Sequence, residues 1–269
     1  MHRGGYTTLE QSKDVKHGRD IVLYSVRGKR SVLVSAKNLI PKDKNKPLAI
    51  ANYIWSKDGS KLLIFTNTKR VWRRNTRGDY WVYNLKTKEL FKLGGEYAKP
   101  STLMFAKFSP DGTRIAYVRE NNIYVENLTT HKITQLTSDG SRTIINGTSD
   151  WVYEEEFNLR DGFRWSPDGK YIAFWQFDAS GVGVFYMINN TDSIYSKIIP
   201  VQYPKAGTTN SACRLGVVPS EGGSVVWMKV KGDPRNLYIA KMEWIPDSHK
   251  ILFQKLNRLQ NQNQVTEGD

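Results

Sequence analysis

Cysteine is almost missing from this chain, with Cys213 alone among 269 residues. That excludes an internal disulfide framework and a thiolate zinc site. Its surroundings, Asn210-Ser211-Ala212-Cys213-Arg214, offer no His to activate the thiol, so a small inert side chain is expected there. Histidine is nearly as scarce. His2, His17, His131 and His249 show no metal-ligand spacing and no pairing with a Ser, so neither a metal site nor a cofactor is expected. No apolar run approaches the ~18 residues of a membrane span, and no membrane contact by this segment is expected. The opening residues, Met1-His2-Arg3-Gly4-Gly5-Tyr6, have no apolar stretch of the signal-peptide kind. The expectation is a cytoplasmic protein, or a chain that begins inside a longer one. Long amphipathic helical patterns are missing as well.

Aromatic and basic residues are plentiful. There are 14 Tyr, 10 Phe and 8 Trp, enough strand-forming apolar material for a sizeable core. Net charge is +14, from 40 Lys and Arg against 26 Asp and Glu. Such an excess invites a nucleic-acid reading, with Lys69-Arg70-Val71-Trp72-Arg73-Arg74-Asn75-Thr76-Arg77 as its best stretch. The excess is dispersed, however, and the chain's most concentrated motif is acidic, so no nucleic-acid partner is expected.

A self-similar unit recurs along the chain. It reads Trp55-Ser56-Lys57-Asp58-Gly59, then Phe108-Ser109-Pro110-Asp111-Gly112, then Trp165-Ser166-Pro167-Asp168-Gly169, each followed by an apolar run. A weaker fourth copy is Trp244-Ile245-Pro246-Asp247-Ser248. Its Asp residues are about 53, 57 and 79 positions apart, near or above the ~50-residue period of propeller repeats. Pro sets φ at the first turn position and Gly tolerates φ > 0, so each unit predicts a hairpin turn. Further strand-like runs follow each turn, such as Asp79-Tyr80-Trp81-Val82-Tyr83 and Asn122-Ile123-Tyr124-Val125. Four short antiparallel strands per period make a propeller blade. The fold class expected is therefore all-β, a β-propeller of four-stranded antiparallel blades.

Both ends look incomplete. Tyr6-Thr7-Thr8-Leu9-Glu10, Asp20-Ile21-Val22-Leu23-Tyr24-Ser25 and Ser31-Val32-Leu33-Val34-Ser35 read as three strands of a blade without its first. At the other end, residues 251–264 start a strand but show no closing strands. About four to five blades are expected, in what reads as part of a larger protein. Residues 143–157 and 200–223 break the period as insertions, the second as a long loop, and such insertions map to blade rims.

The first insertion carries Asp150-Trp151-Val152-Tyr153-Glu154-Glu155-Glu156-Phe157. Three adjacent carboxylates repel one another. On a helical turn successive side chains diverge by roughly 100°, so at most two can converge on one point. Two converging carboxylates suit a cation with several donors, such as a primary ammonium. The bland alternative is a solvated acidic turn. Trp151 and Tyr153 argue against that, because they would anchor the turn. Glu154 is expected to support the turn.

These residues carry a family resemblance. The acidic motif resembles the glutamate motif of the dipeptidyl peptidase IV family, in the prolyl oligopeptidase clan of serine peptidases. Val71-Trp72-Arg73, Phe163-Arg164-Trp165-Ser166-Pro167-Asp168-Gly169, Tyr203-Pro204-Lys205-Ala206-Gly207-Thr208-Thr209-Asn210 and Gln254-Lys255-Leu256-Asn257-Arg258-Leu259-Gln260-Asn261 agree in order. The resemblance implies that residues 1–269 are part of an eight-bladed N-terminal propeller that covers a C-terminal α/β-hydrolase domain. It implies release of N-terminal Xaa-Pro or Xaa-Ala dipeptides, with Glu155 and Glu156 holding the substrate α-ammonium and Arg73 reaching its P2 carbonyl. By the same resemblance the protein is exported: periplasmic, cell-surface or secreted.

One departure is large. The Gly-x-Ser-x-Gly elbow of a hydrolase nucleophile does not occur in this sequence, and Gly222-Gly223-Ser224-Val225-Val226 lacks the final Gly. No catalytic residue is assigned, and the chain is expected to be inactive alone. Two readings stay open: the substrate-recognition region of a peptidase, or a stand-alone propeller that binds peptides or proteins without catalysis. The partners expected are peptide N-termini and a hydrolase domain of the same or a companion chain, with a homodimer also open. Tyr203, Lys205 and Asn210 are expected to be structural.

Overall fold

A computed structural model describes residues 4–268. It is nearly all-β, about 48% strand and 4% helix, against the 20–25% strand of an ordinary soluble domain. The chain divides into two compact units. One holds the chain up to Arg119 together with Glu126–Ile133, and the other holds Glu120–Val125 together with the chain from Thr134 onward.

The first unit opens with β1 (Gly5–Gln11), β2 (Arg19–Ser25) and β3 (Arg30–Val34), an antiparallel sheet in sequence order, as the sequence predicts. Next come β4 (Asn52–Trp55), β5 (Lys61–Val71), β6 (Arg74–Asn84) and β7 (Leu90–Lys92), a four-stranded blade paired in sequence order. Its long β5–β6 hairpin closes on the two residues Trp72-Arg73, with Val71 opposite Arg74. Most of the basic stretch 69–77 thus lies in the strands of this hairpin. The following blade is built from β8 (Leu103–Phe108), β9 (Arg114–Arg119), β10 (Asn122–Asn127) and β11 (Ile133–Gln135).

Ile115, Ala116, Tyr117 and Val118 are consecutive and fully buried. Neighbouring strand residues point to opposite faces, so both faces of β9 are covered. That is why these strands read as unbroken apolar runs rather than as an alternation. The first unit's core gathers Ile21, Val34, Leu39, Leu62, Ile64, Trp81 and Tyr83. A buried carboxylate, Glu126, is met by the Gly94 N–H at 2.9 Å and the Tyr117 hydroxyl at 3.4 Å. Burial pushes its pKa up.

The second unit contains β12 (Ile144–Asn146), the short helix α1 (Trp151–Phe157), β13 (Phe163–Trp165), β14 (Tyr171–Asp178), β15 (Val184–Asn189), β16 (Lys197–Gln202), β17 (Ala212–Pro219) and β18 (Val226–Trp227). β13, β14, β17 and β18 form a blade, and β12 pairs with the far end of β14. β19 (Leu237–Trp244), β20 (Ile251–Asn257) and β21 (Asn263–Gly268) form the last sheet.

Two expectations need correction. The tail is not left without a closing strand, because β21 pairs with β20 from Asn263 opposite Leu256 to Gly268 opposite Ile251. A polar run of Asn and Gln hides a strand that only ladder hydrogen bonds define. Residues 200–223 are not one long loop either. Pro200–Gln202 finishes β16 and Ala212–Pro219 is a strand paired along its length with β14, leaving 203–211 as the loop. Pro200 marks an edge position of a strand here, where a missing N–H is tolerated.

The repeated turns form as expected, with Gly59, Gly112 and Gly169 at φ of 67°, 68° and 71°. In each, the Ser hydroxyl donates to the Asp carboxylate, at 2.6 Å for Ser56 to Asp58, 2.5 Å for Ser109 to Asp111 and 2.7 Å for Ser166 to Asp168. The same hydroxyl accepts the N–H that opens the next strand, from Lys61, Arg114 and Tyr171 at 2.9–3.0 Å. The fourth copy has Ile245 where the others have Ser, and Ser248 where they have Gly. The left-handed residue moves back to Asp247, at φ 57°.

Candidate functional site

The acidic motif occupies an excursion from one edge of β14. The chain leaves that edge at Asn146, opposite Gln176, and returns at Phe163, opposite Phe174. The neck is closed by backbone hydrogen bonds: Gly162 N–H to the Gly147 carbonyl, Gly147 N–H to the Trp175 carbonyl, and Trp175 N–H to the Gly162 carbonyl, all at 3.0 Å. A Cβ on Gly162 would lie 2.8 Å from the backbone of Gly147 and Thr148, so only glycine allows this approach.

Within the excursion, residues 151–157 form α1 because both ends are capped. Asp150 is the N-cap, and its Oδ1 accepts the Tyr153 N–H at 3.0 Å. Its Oδ2 accepts from the Ser211 hydroxyl at 2.7 Å, which fixes the cap from β17's side. Asn158 closes the helix in the left-handed conformation, φ 53°. Burial pushes the Asp150 pKa up despite these bonds.

The aromatics anchor the turn as the sequence anticipates. Tyr153 is buried, with its ring 4.5 Å from Phe177 and 5.2 Å from Phe157. Its hydroxyl accepts the Ile239 N–H at 3.0 Å, and the Trp175 indole N–H donates to the Ile239 carbonyl at 2.8 Å. β19 is bulged between Ile239 and Lys241, so α1 is tied to a kink in that strand. Trp151 packs on Tyr203 at 4.3 Å, and Asn210 Nδ2 donates to the Tyr238 hydroxyl at 2.8 Å. Tyr203 and Asn210 therefore hold the loop as structural residues. Cys213 is buried beside Tyr153, and burial pushes its thiol up to about 12.

The three glutamates differ sharply. Glu154 is buried, Glu155 half-buried and Glu156 exposed. Glu154 faces Arg160, with Oε2 at 3.2 Å from Nε, in an ion pair whose side chains are 4% and 6% exposed. The Arg160 Nη1 also donates to the Ser149 carbonyl at 2.6 Å. Glu155 and Glu156 stand in the second half of α1, whose last turn has no basic residue. Arg73 stands exposed in the β5–β6 turn of the first unit, beside Trp72 at φ 51°.

Sequence reasoning missed Arg160 and Ser211. Nothing in Leu159-Arg160-Asp161 says that the guanidinium turns inward. Among the described residues no group of three or more His, Cys, Asp or Glu could hold a metal ion. No helix there is long and apolar enough to cross a membrane.

Comparisons with known proteins agree with this layout. A family profile described as the dipeptidyl peptidase IV (DPP IV) N-terminal region matches residues 56–269. Dipeptidyl aminopeptidase B of Saccharomyces cerevisiae is 34% identical over 229 residues, covering 82% of this chain and 27% of that protein. Prolyl endopeptidase FAP of Homo sapiens is 29% identical over 264 residues, covering 96% and 33%. Porphyromonas gingivalis dipeptidyl peptidase 4 superposes with a TM-score of 0.84 at 28% identity, over 99% of this chain and 37% of that one. The chain thus spans about a third of the length of such relatives. It belongs to the dipeptidyl peptidase IV N-terminal region family.

Proposed function

We propose that this chain is the substrate-recognition region of a dipeptidyl-peptidase-IV-like serine exopeptidase. Glu155 and Glu156 grip the α-ammonium of a peptide, and Arg73 takes its P2 carbonyl. An α/β-hydrolase domain, in the same or a companion chain, releases the Xaa-Pro or Xaa-Ala dipeptide. The observation that carries this is the pair of solvent-accessible glutamates, Glu155 half-buried and Glu156 exposed, on the second half of a capped helix anchored in the core. Backbone carbonyls already make that end negative, which disfavours carboxylates by about 0.3–1 kcal/mol each unless a cation is near. A primary ammonium brings a positive charge and three donors to such a place together. Fixing the peptide's N-terminus sets which bond can reach a nucleophile, a positioning function rather than a reacting one. By family resemblance, the protein acts outside the cytoplasm.

The test is kinetic, in a full-length relative carrying the same eight-residue motif. Replacing either Glu155 or Glu156 by Gln removes one charge-assisted bond of about 1.5–3 kcal/mol, or roughly ten- to a hundred-fold in kcat/KM. An N-acetylated substrate cleaved as well as the free amine would overturn the reading. Tight binding of folded proteins, with indifference to free N-termini, would favour the stand-alone module instead.

A homodimer is the association this surface favours. Among the described residues β15 and β16 pair only with each other, and Phe185, Tyr186, Met187, Ile188, Ile198 and Ile199 are all exposed. An isolated two-stranded hairpin is marginal in water, and its open edge can pair antiparallel with its own copy about a twofold axis. Light scattering should show a dimer that Ile188→Glu dissociates. A concentrated wild-type monomer would exclude it.

A further inference from the structure

Three glutamates in one turn pose a problem that a pair alone would not. Adjacent carboxylates repel one another, and Glu154 is taken out of water besides. A buried carboxylate needs a partner. Arg160 supplies it from three residues beyond the helix, and the surrounding backbone holds Arg160 still. Its carbonyl accepts the Thr148 hydroxyl at 2.9 Å, and Thr148 bridges Asp161 in the neck. The Ser149 hydroxyl donates to the Leu159 carbonyl, while the Ser149 carbonyl accepts from the Arg160 guanidinium. The cation therefore cannot follow the helix; the helix must come to it.

We infer that Arg160 is the positioning residue of the acidic turn, neutralising Glu154 so that Glu155 and Glu156 alone present charge outward. The inference rests on the ammonium reading above. Pinning Glu154 inward sets the phase of α1, because the next two side chains follow at roughly 100° and 200°. The gradient from buried to half-buried to exposed is what that phase produces. Arg160 also cancels the third charge, leaving a trap of two carboxylates for one ammonium.

The test uses two probes on the chain, alanyl-prolinamide and its N-acetyl form, with binding followed by NMR titration. Wild type should prefer the free amine; no preference would sink the ammonium reading itself and leave nothing for Arg160 to position. Arg160→Met leaves Glu154 uncompensated and should cost about ten-fold or more of that preference, the worth of one charge-assisted bond. Glu154→Gln combined with Arg160→Met removes both charges, and should keep the preference within about three-fold. A folded Arg160→Met variant with wild-type preference would overturn the inference. So would a double variant as impaired as the single one, since that result marks the pair as merely structural. If Arg160→Met fails to fold, the double variant decides: retained preference supports charge compensation, and lost preference or an unfolded chain refutes it.

Discussion

At Ser166 a single hydroxyl, 1% exposed, does two jobs, donating to Asp168 and accepting the Tyr171 N–H. Ser166→Ala should leave that N–H without its partner, at about 1–3 kcal/mol. Urea unfolding should register the loss as a lower midpoint with an unchanged slope. A shift no larger than that of an exposed Ser193→Ala would show that the hydroxyl clamp contributes nothing. The turn itself was legible in the sequence, since Pro, Asp and Gly each dictate a backbone angle. The clamp was not, because Ser in a turn signals only a local bond. The fourth copy shows the limit: with Ile245 and Ser248 in place, the left-handed angle passes to Asp247. Similarly, three consecutive glutamates on a helical turn could not all point one way, but the inward Arg160 had no local signature. Its placement comes from a backbone neck that only folding assembles.

Strands and their connections show a parallel division. Alternating and unbroken apolar runs located the strands flanking the repeated turns, because each apolar residue there has a face to occupy. Polar β21, Pro-containing β16 and β17 escaped that reading, the last two because 200–223 reads as one loop. The acidic excursion is the element whose geometry is most exacting. Gly162→Ala would drive a methyl group to within 2.8 Å of backbone atoms that cannot rotate aside. About 1–3 kcal/mol of destabilisation should follow, as for other overpacked sites. Gly183, with nothing within 4 Å of its Cβ position and no positive φ, is the control, and its Ala variant should change stability by less than about 0.5 kcal/mol. Equal unfolding midpoints for the two variants would mean that the Gly147–Gly162 neck is not closely fitted. The excursion should also report locally, through faster hydrogen exchange at Tyr153 and Leu159 in Gly162→Ala.

Over the whole molecule, acid should act first through the repeated turns. Hydrogen bonds from Ser56 and Ser166 hold the Asp58 and Asp168 carboxyls below the usual carboxylate range. Burial raises Asp111, but bonds from Ser109 and Thr113 outweigh it and leave that carboxyl lowered too. A carboxyl that is more acidic in the folded chain contributes stability above its unfolded pKa, near 3.8 for Asp. That contribution is lost as pH falls toward the folded value, because the unfolded chain takes up the proton first. Asp150 and Glu126 work in the opposite sense, since burial raises both. The folded chain holds their protons more tightly, so stability from these two grows as pH falls from neutrality toward their unfolded values. The net charge of +14 climbs as carboxylates are neutralised, and self-repulsion adds to the loss at low pH. Urea midpoints should therefore be level or slightly rising from pH 7 to about 5, then fall steeply below about 4. Replacing Asp58, Asp111 and Asp168 together by Asn should lower stability at pH 7 and shrink the difference between pH 7 and pH 3. If the triple variant lost as much between those two pH values as wild type, the acid sensitivity would belong to other groups, and the turns would be stabilised by their backbone angles alone.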